Sequence, residues 1–306
     1  MRDNYGKKTA VALGTFDGLH KGHMAVINRA VVRGYSGLVP VILLFSNHPM
    51  ETLCGVAPKE LLTGDLKQRE IEKTGCTPHV VSFVKIRKMT PEKFFTKILL
   101  EELNAEFISC GFNFRFGKNG AGDTKILAEL CKKYSVELSV APEVDFESKA
   151  ISSTRIRTAI ADGEIKKANE MLGRYFSYDF TVVHGDNRGG KVLGIPTVNQ
   201  RFPDNFILPK FGVYASFTVV GGQVYPSVTN IGIRPTIGGD TAGSETYIIG
   251  FSGDLYGKNP EVGLITYLRD EKKFESLEAL LAQMKRDGEK AEEIFNSEVT
   301  EIWKLY

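Results

Sequence analysis

Up to about Gly173, apolar runs of strand length alternate with segments of helical period, and no other property of the chain constrains its fold as tightly. The runs are Thr9 to Leu13, Val39 to Phe45, His79 to Phe83, Phe107 to Gly111 and Glu137 to Val140. Met24 to Arg33, Asp65 to Thr74, Pro91 to Leu100 and Thr124 to Lys133 lie between them and read as helices. Regular alternation of strand and helix predicts an α/β domain, a doubly wound parallel sheet with helices on both faces. In such a sheet a ligand binds at the carboxyl ends of the strands, so the segments that follow strands are where chemistry is expected.

After LGRYFSYDF the texture changes. Phe180 to His184, Val213 to Val220, Val224 to Asn230, Glu245 to Phe251 and Val262 to Leu268 have period two and are punctuated by Gly and Pro, which predicts a C-terminal antiparallel β-barrel. Ser276 to Glu298 carries the pattern of a long amphipathic helix able to pack on that barrel. The expected domains are 1–175 and 176–306, a natural division for 306 residues.

The most specific string is LGTFDGLHKGHMAVINRA, from Leu13 to Ala30. A strand turns through Gly14, Gly18 and Gly22 into a helix, leaving free N–H groups and the positive end of the helix dipole at one spot. Such a spot suits a phosphate. His20 and His23 are three apart, so in a helical turn they share a face, and either can carry positive charge beside an anion. Spacing alone does not separate this from a loop with two solvated histidines.

Three other segments follow strands. His48, in SNHPME, reads first as a loop residue before proline. GFNFRFG, Gly111 to Gly117, sets Phe112, Phe114 and Phe116 around Asn113 and Arg115. Period-two aromatics mark the buried face of a strand, but rings flanking a guanidinium also suit a flat-ring ligand. In ISSTRIRTAI, Ser152, Ser153 and Thr154 are N-cap types. With Arg155 and Arg157 they also form an anion clamp.

Any anion must be gripped locally, because 39 basic against 37 acidic residues leave a net charge of only +2. That balance is too even to argue from charge alone for nucleic acid or a membrane surface, and neither partner is expected. Cys54, Cys76, Cys110 and Cys131 have no CxxC spacing, so neither a zinc site nor a disulfide framework is suggested, and they read as core thiols. The N-terminus shows no apolar segment of signal-peptide length, and the longest apolar run, Leu38 to Phe45, is too short to span a bilayer. A soluble cytoplasmic protein is expected, and the sequence assigns no oligomeric state.

In the second half, GDNRGGKVLGIPTVN spans Gly185 to Asn199 and contains the spacing GxxxxGK. It is not a Walker A loop, because Val192 replaces the Ser/Thr that holds magnesium and Pro196 forbids the following helix. Gly185, Gly189, Gly190 and Lys191 instead suit a loop over phosphates, and Thr197 and Asn199 offer neutral oxygens to a metal. Taken by themselves, Thr197 and Glu245 read as ordinary strand residues.

The opening string resembles the HxGH signature of the nucleotidylyltransferase superfamily in its flavin-specific form, GxFDGxHxGH, with Gly14, Phe16, Asp17, Gly18, His20, Gly22 and His23 in place. SNHPME, GFNFRFG and SSTRIR are similar to the segments that follow in bacterial FAD synthetases, with Asn47 where proline is common and Asn113 where aspartate is common. The second half resembles riboflavin kinases in LGIPTVN, GVYAS, NIGIRPT, ETYIIGF, LYGK and LRDEKKF. The resemblance to bifunctional riboflavin kinase/FAD synthetases thus covers nearly the whole chain. It implies a nucleotidylyltransferase domain of Rossmann-like fold followed by a riboflavin kinase-like barrel, with riboflavin, FMN and ATP as substrates and Mg2+ as cofactor. It further implies Glu245 as kinase base, with His20 and His23 catalytic in adenylyl transfer. ATP and phosphate contacts fall to Gly14, Phe16, Asp17, Gly22 and the SSTRIR segment, flavin contacts to His48, Asn113, Phe114, Arg115 and Arg269, and the metal to Thr197 and Asn199. The alternatives are an enzyme with one working half, a silent flavin-binding regulator, and an adenylyltransferase for another substrate.

Overall fold

A computed structural model describes residues 6–183, 197–236 and 239–303. By internal contacts the chain divides into two compact units. One comprises Met1–Pro58 with Lys67–Ser152, and the other Lys59–Leu66 with Ser153–Tyr306.

The first unit is built on β1 (Thr9–Leu13), α1 (Lys21–Gly34), β2 (Val39–Phe45), α2 (Pro49–Cys54), α3 (Gly64–Lys73), β3 (Thr77–Val81), α4 (Phe83–Ile86) and α5 (Pro91–Phe94). A π-helical stretch, Phe95–Glu102, continues α5. It is followed by β4 (Ala105–Gly111), α6 (Thr124–Lys133), β5 (Glu137–Ala141) and a small hairpin of β6 (Asp145–Phe146) and β7 (Lys149–Ala150). The sheet order is β3-β2-β1-β4-β5, all parallel. β1 is the central strand and all five of its residues are buried, as its unbroken apolar run requires. The third strand lies two residues earlier than the periodicity predicts. Phe83 begins α4 instead and packs edge-on against Phe45 at 5.4 Å, so its apolar character serves helix packing rather than a strand.

Cys76, Cys110 and Cys131 are buried, but Cys54 at the end of α2 is exposed, which corrects the expectation of four core thiols. Burial, with Cys131 adding to it, pushes the Cys110 thiol up to about 12, so at neutral pH it is an inert core group.

Beyond Lys59–Leu66, the second unit contains α7 (Ser153–Ala161) and α8 (Ile165–Leu172). Its sheet runs through β8 (Phe176–Tyr178), β9 (Val182–Val183), β10 (Thr197–Arg201), β11 (Gly212–Val220), β12 (Gln223–Thr236), β13 (Gly239–Ile248) and β14 (Glu261–Arg269), before the long helix α9 (Leu277–Trp303). The order β8-β14-β11-β12-β13-β10-β9 is antiparallel and curls as a half-barrel. One face is closed by buried hydroxyl pairs, Ser216 with Thr229 and Thr229 with Thr246 at 2.8 and 2.9 Å, which satisfy groups that would be costly to bury alone. On the other face Phe217, Ile265, Phe295 and Ile302 join α9 to the sheet.

Two strands go beyond the apolar pattern. β10 reads TVNQR and the first half of β13 reads GDTAGS, so neither shows the alternation that marks a strand. Ladder hydrogen bonds to flanking strands hold both in place. Of the expected strand Phe180 to His184, only Val182 and Val183 pair, with β10, and His184 lies outside the described residues. Phe180 instead packs in a ring cluster with Tyr178, Phe202 and Phe206.

Candidate active sites

In the first unit the turn after β1 is held in an uncommon backbone. Phe16 and Leu19 have φ of 49° and 45°, with Gly18 between them at 77°. Left-handed conformations at bulky residues cost on the order of 1–3 kcal/mol each and persist only where packing enforces them. Packing does so here. Phe16 is 0% exposed and its ring meets His23 edge-on at 5.5 Å. The same ring comes within 3.0 Å of where a Cβ on Gly14 would stand, so a side chain there would force the enclosed ring to shift.

His20, 5% exposed, is the N-cap of α1, and its Nδ1 accepts the His23 backbone N–H at 3.3 Å. That bond assigns the His20 proton to Nε2, so while it caps the helix His20 is a neutral imidazole. Its ring stacks on that of His23 with centroids 3.7 Å apart and planes 17° apart. Two cations so close would repel, so the stacked pair carries at most one charge. A Cβ on Gly22 would stand 3.1 Å from the His20 ring, so the glycine between the histidines lets the first fold back over the helix start. The spacing HxGH therefore produces two stacked imidazoles at a helix N-terminus, where anions are favoured.

The loop after β2 joins this turn. His48 caps α2 through Nδ1 and turns Nε2 toward the Asp17 carboxylate at 3.9 Å. After β4, GFNFRFG forms a turn rather than the strand face that period two suggests. Phe116 is buried, Phe114 stacks on it at 5.6 Å, and Phe112 and Asn113 are exposed. Arg115 lies 3.8 Å from Asp123, the N-cap of α6. The Ile126 backbone N–H chiefly holds the Asp123 carboxyl below its ordinary range, with the Lys125 N–H and Arg115 adding to the effect. Ser152 ends this unit directly after Ile151, whose carbonyl lies 3.9 Å from the Gly22 Cβ position.

Ser153, Thr154, Arg155 and Arg157 open α7 and belong by contacts to the second unit, where the Arg157 Nε–H donates to the Lys59 carbonyl at 2.6 Å. Gly185, Gly189, Gly190 and Lys191 lie outside the described residues.

In the half-barrel the Thr197 hydroxyl donates to Glu245 Oε1 at 2.9 Å. Asn199 faces Glu245 across one strand pair and Asn230 faces it across the other. Residues directly opposite in a sheet share a face, so Asn199, Glu245 and Asn230 form one polar row, with Thr197 beside it two residues along β10. The row continues through Val213 to Arg269. Asn230 also donates to Glu271 at 3.1 Å. Sequence reasoning includes Asn230 only as part of NIGIRPT; strand register alone brings it beside Glu245. Among the described residues no group of three His, Cys, Asp or Glu side chains makes a metal cluster. The Thr197 and Asn199 oxygens nonetheless suit a hard cation carried by a nucleotide.

Comparison with known proteins agrees with both halves. The FAD synthetase family model matches residues 3–155 and the riboflavin kinase model residues 172–295. The bifunctional riboflavin kinase/FMN adenylyltransferase of Listeria monocytogenes is 35% identical over 294 residues, covering 93% of this chain and 92% of its own. That of Bacillus subtilis is 32% identical over 298 residues, covering 95% and 93%. A crystal structure of a Streptococcus pneumoniae protein, described as a macrolide-efflux protein, superposes with a TM-score of 0.85 at 30% identity over 94% of each chain. That description stays with the pneumococcal protein; among the described residues here no helix is long and apolar enough to cross a membrane. With a stacked histidine pair at a helix start in one half, a threonine-bound carboxylate in the other, and relatives that match it nearly end to end, the chain belongs to the bifunctional riboflavin kinase/FMN adenylyltransferase family.

Proposed function

We propose that this protein phosphorylates riboflavin to FMN with ATP and adenylylates FMN with a second ATP to FAD, releasing pyrophosphate. The observation that carries this reading is the division of chemistry between the two halves, a carboxylate in one and stacked imidazoles at a helix N-terminus in the other. Residues 1–175 serve adenylyl transfer and 176–306 the kinase.

In the kinase Glu245 takes the proton of the terminal ribityl hydroxyl as its oxygen bonds to the γ-phosphorus and the β–γ bridge breaks to leave ADP. Thr197 and Asn199 would hold the magnesium that accompanies ATP, which offsets phosphate charge. Gly185, Gly189, Gly190 and Lys191 bind the phosphates and Arg269 meets the flavin.

Adenylyl transfer needs no base, because the FMN phosphate, with a second pKa of about 6, is already anionic. Its oxygen attacks the α-phosphorus of ATP and pyrophosphate leaves. His23 supplies positive charge and His20 an Nε2–H donor. Gly14, Phe16, Asp17, Gly22, Ser152, Ser153, Thr154, Arg155 and Arg157 shape or contact the triphosphate, with Phe16 acting through its backbone since its ring is enclosed. His48, Asn113, Phe114 and Arg115 face the flavin. Four free cysteines fit a reducing cytoplasm.

Incubation with riboflavin, ATP and Mg2+ should yield FMN, FAD and pyrophosphate; FMN accumulating without FAD would leave only the kinase half standing, and neither product would refute the reading. Gly22→Ala tests the geometry of the turn. The added methyl meets the His20 ring, so the cap loses about 1 kcal/mol, read as a lowered thermal midpoint. FMN-to-FAD conversion should fall several-fold while riboflavin phosphorylation stays at the parent rate.

A further inference from the structure

Arg269 ends β14 at one end of the row that carries Glu245, three strand pairings away. At ~4.8 Å per pairing that is about 14 Å along the sheet. Riboflavin from its terminal hydroxyl to its ring carbonyls spans on the order of 10–13 Å by summed bond lengths. A flavin whose hydroxyl meets Glu245 can therefore lie along the row and bring its carbonyl edge to Arg269.

The guanidinium is not loose. Its Nε–H is shared between Asp287 Oδ1 and Oδ2 at 3.3 and 3.1 Å, and Nη2 donates to Oδ2 at 2.7 Å. Nη1 donates to the Asp270 carbonyl at 3.0 Å. Asp287 is 6% exposed on α9 and is itself braced by the Gln283 amide at 2.8 Å. Of the five guanidinium N–H groups, two remain without a partner among the described residues. Their orientation is fixed by a carboxylate that also cancels the charge. A phosphate approaching them would meet that carboxylate as well; a neutral ring carbonyl would not.

We propose that Asp287 is a positioning residue of the kinase, holding Arg269 with two N–H groups aimed at the ring carbonyls of riboflavin and making the pair selective for a neutral acceptor over the phosphates of ATP. This rests on the reading of the half-barrel as a riboflavin kinase.

The test is steady-state kinetics of the full-length protein with riboflavin and MgATP. Asp287→Asn and Asp287→Ala should raise KM for riboflavin about tenfold or more, the factor set by hydrogen bonds to a charged group. KM for MgATP should stay within about twofold, and Asp287→Glu should recover part of the loss. Gln283→Leu, which removes only the brace, should shift riboflavin KM in the same direction by less, and it decides the matter if the Asp287 variants do not fold. Both KM values rising together, or kcat falling with both unchanged, would overturn the proposal. Wild-type protein that makes no FMN would instead overturn the kinase reading itself.

Discussion

Glu245→Gln is expected to lower FMN formation from riboflavin by about 10²–10⁴-fold, the range that a positioned general base supplies. Conversion of added FMN to FAD by the same preparation should proceed at the parent rate. An alcohol is a poor nucleophile, so the kinase must remove a proton, and Glu245 is the carboxylate that the row of Asn199 and Asn230 flanks. Glutamine keeps the length and still accepts a hydrogen bond from the Thr197 hydroxyl, now 2.9 Å from the carboxylate, but cannot take the proton. Loss of packing is thereby separated from loss of basicity. Measuring both half-reactions on one sample decides the assignment. Equal losses in the two would show that the substitution acts on the fold, and an unaffected kinase would remove Glu245 from the reaction.

The second large effect lies in the other half. His23→Ala should reduce FMN-to-FAD conversion by about 10²–10³-fold, the cost of one preorganised charge-stabilising donor, and leave riboflavin phosphorylation unchanged. His23 is the member of the stacked pair able to carry charge, since His20 is committed to the helix cap through Nδ1. The Phe16 ring presses on His23 from the side, so the imidazole is preorganised rather than recruited. Replacing His23 by glutamine should restore part of the rate, because an amide donates a hydrogen bond without the charge. A variant that still makes FAD at the parent rate would show that the helix terminus and the arginines suffice. The two substitutions together form a crossed test, each silencing one reaction and sparing the other.

Much of this was legible in the sequence wherever the local rule and the tertiary outcome coincide. The central parallel strands are apolar throughout because both faces are covered, and Thr9–Leu13 and Val39–Phe45 were found with their exact bounds. The opening string located a helix start only to within three residues: the periodicity reads it from Met24, and the helix begins at Lys21 because the His20 side chain caps it. The strands TVNQR and GDTAGS escaped because their stability comes from partners on either side. Asp287 left a signal of a different kind. It interrupts the apolar stripe of the C-terminal helix between Met284 and Ala291, and a carboxylate in such a place implies a buried partner.

The sequence by itself determined the family and the order of the two folds, since motif and periodicity are properties of short stretches of chain. Only the tertiary structure decided that His20 is neutral while it caps α1, that Asn230 stands beside Glu245, and that Arg269 is gripped by Asp287 from 18 residues further on. The reason is physical. Protonation, strand neighbours and ion pairs are set by atoms brought together by folding, and separation along the chain carries no information about them.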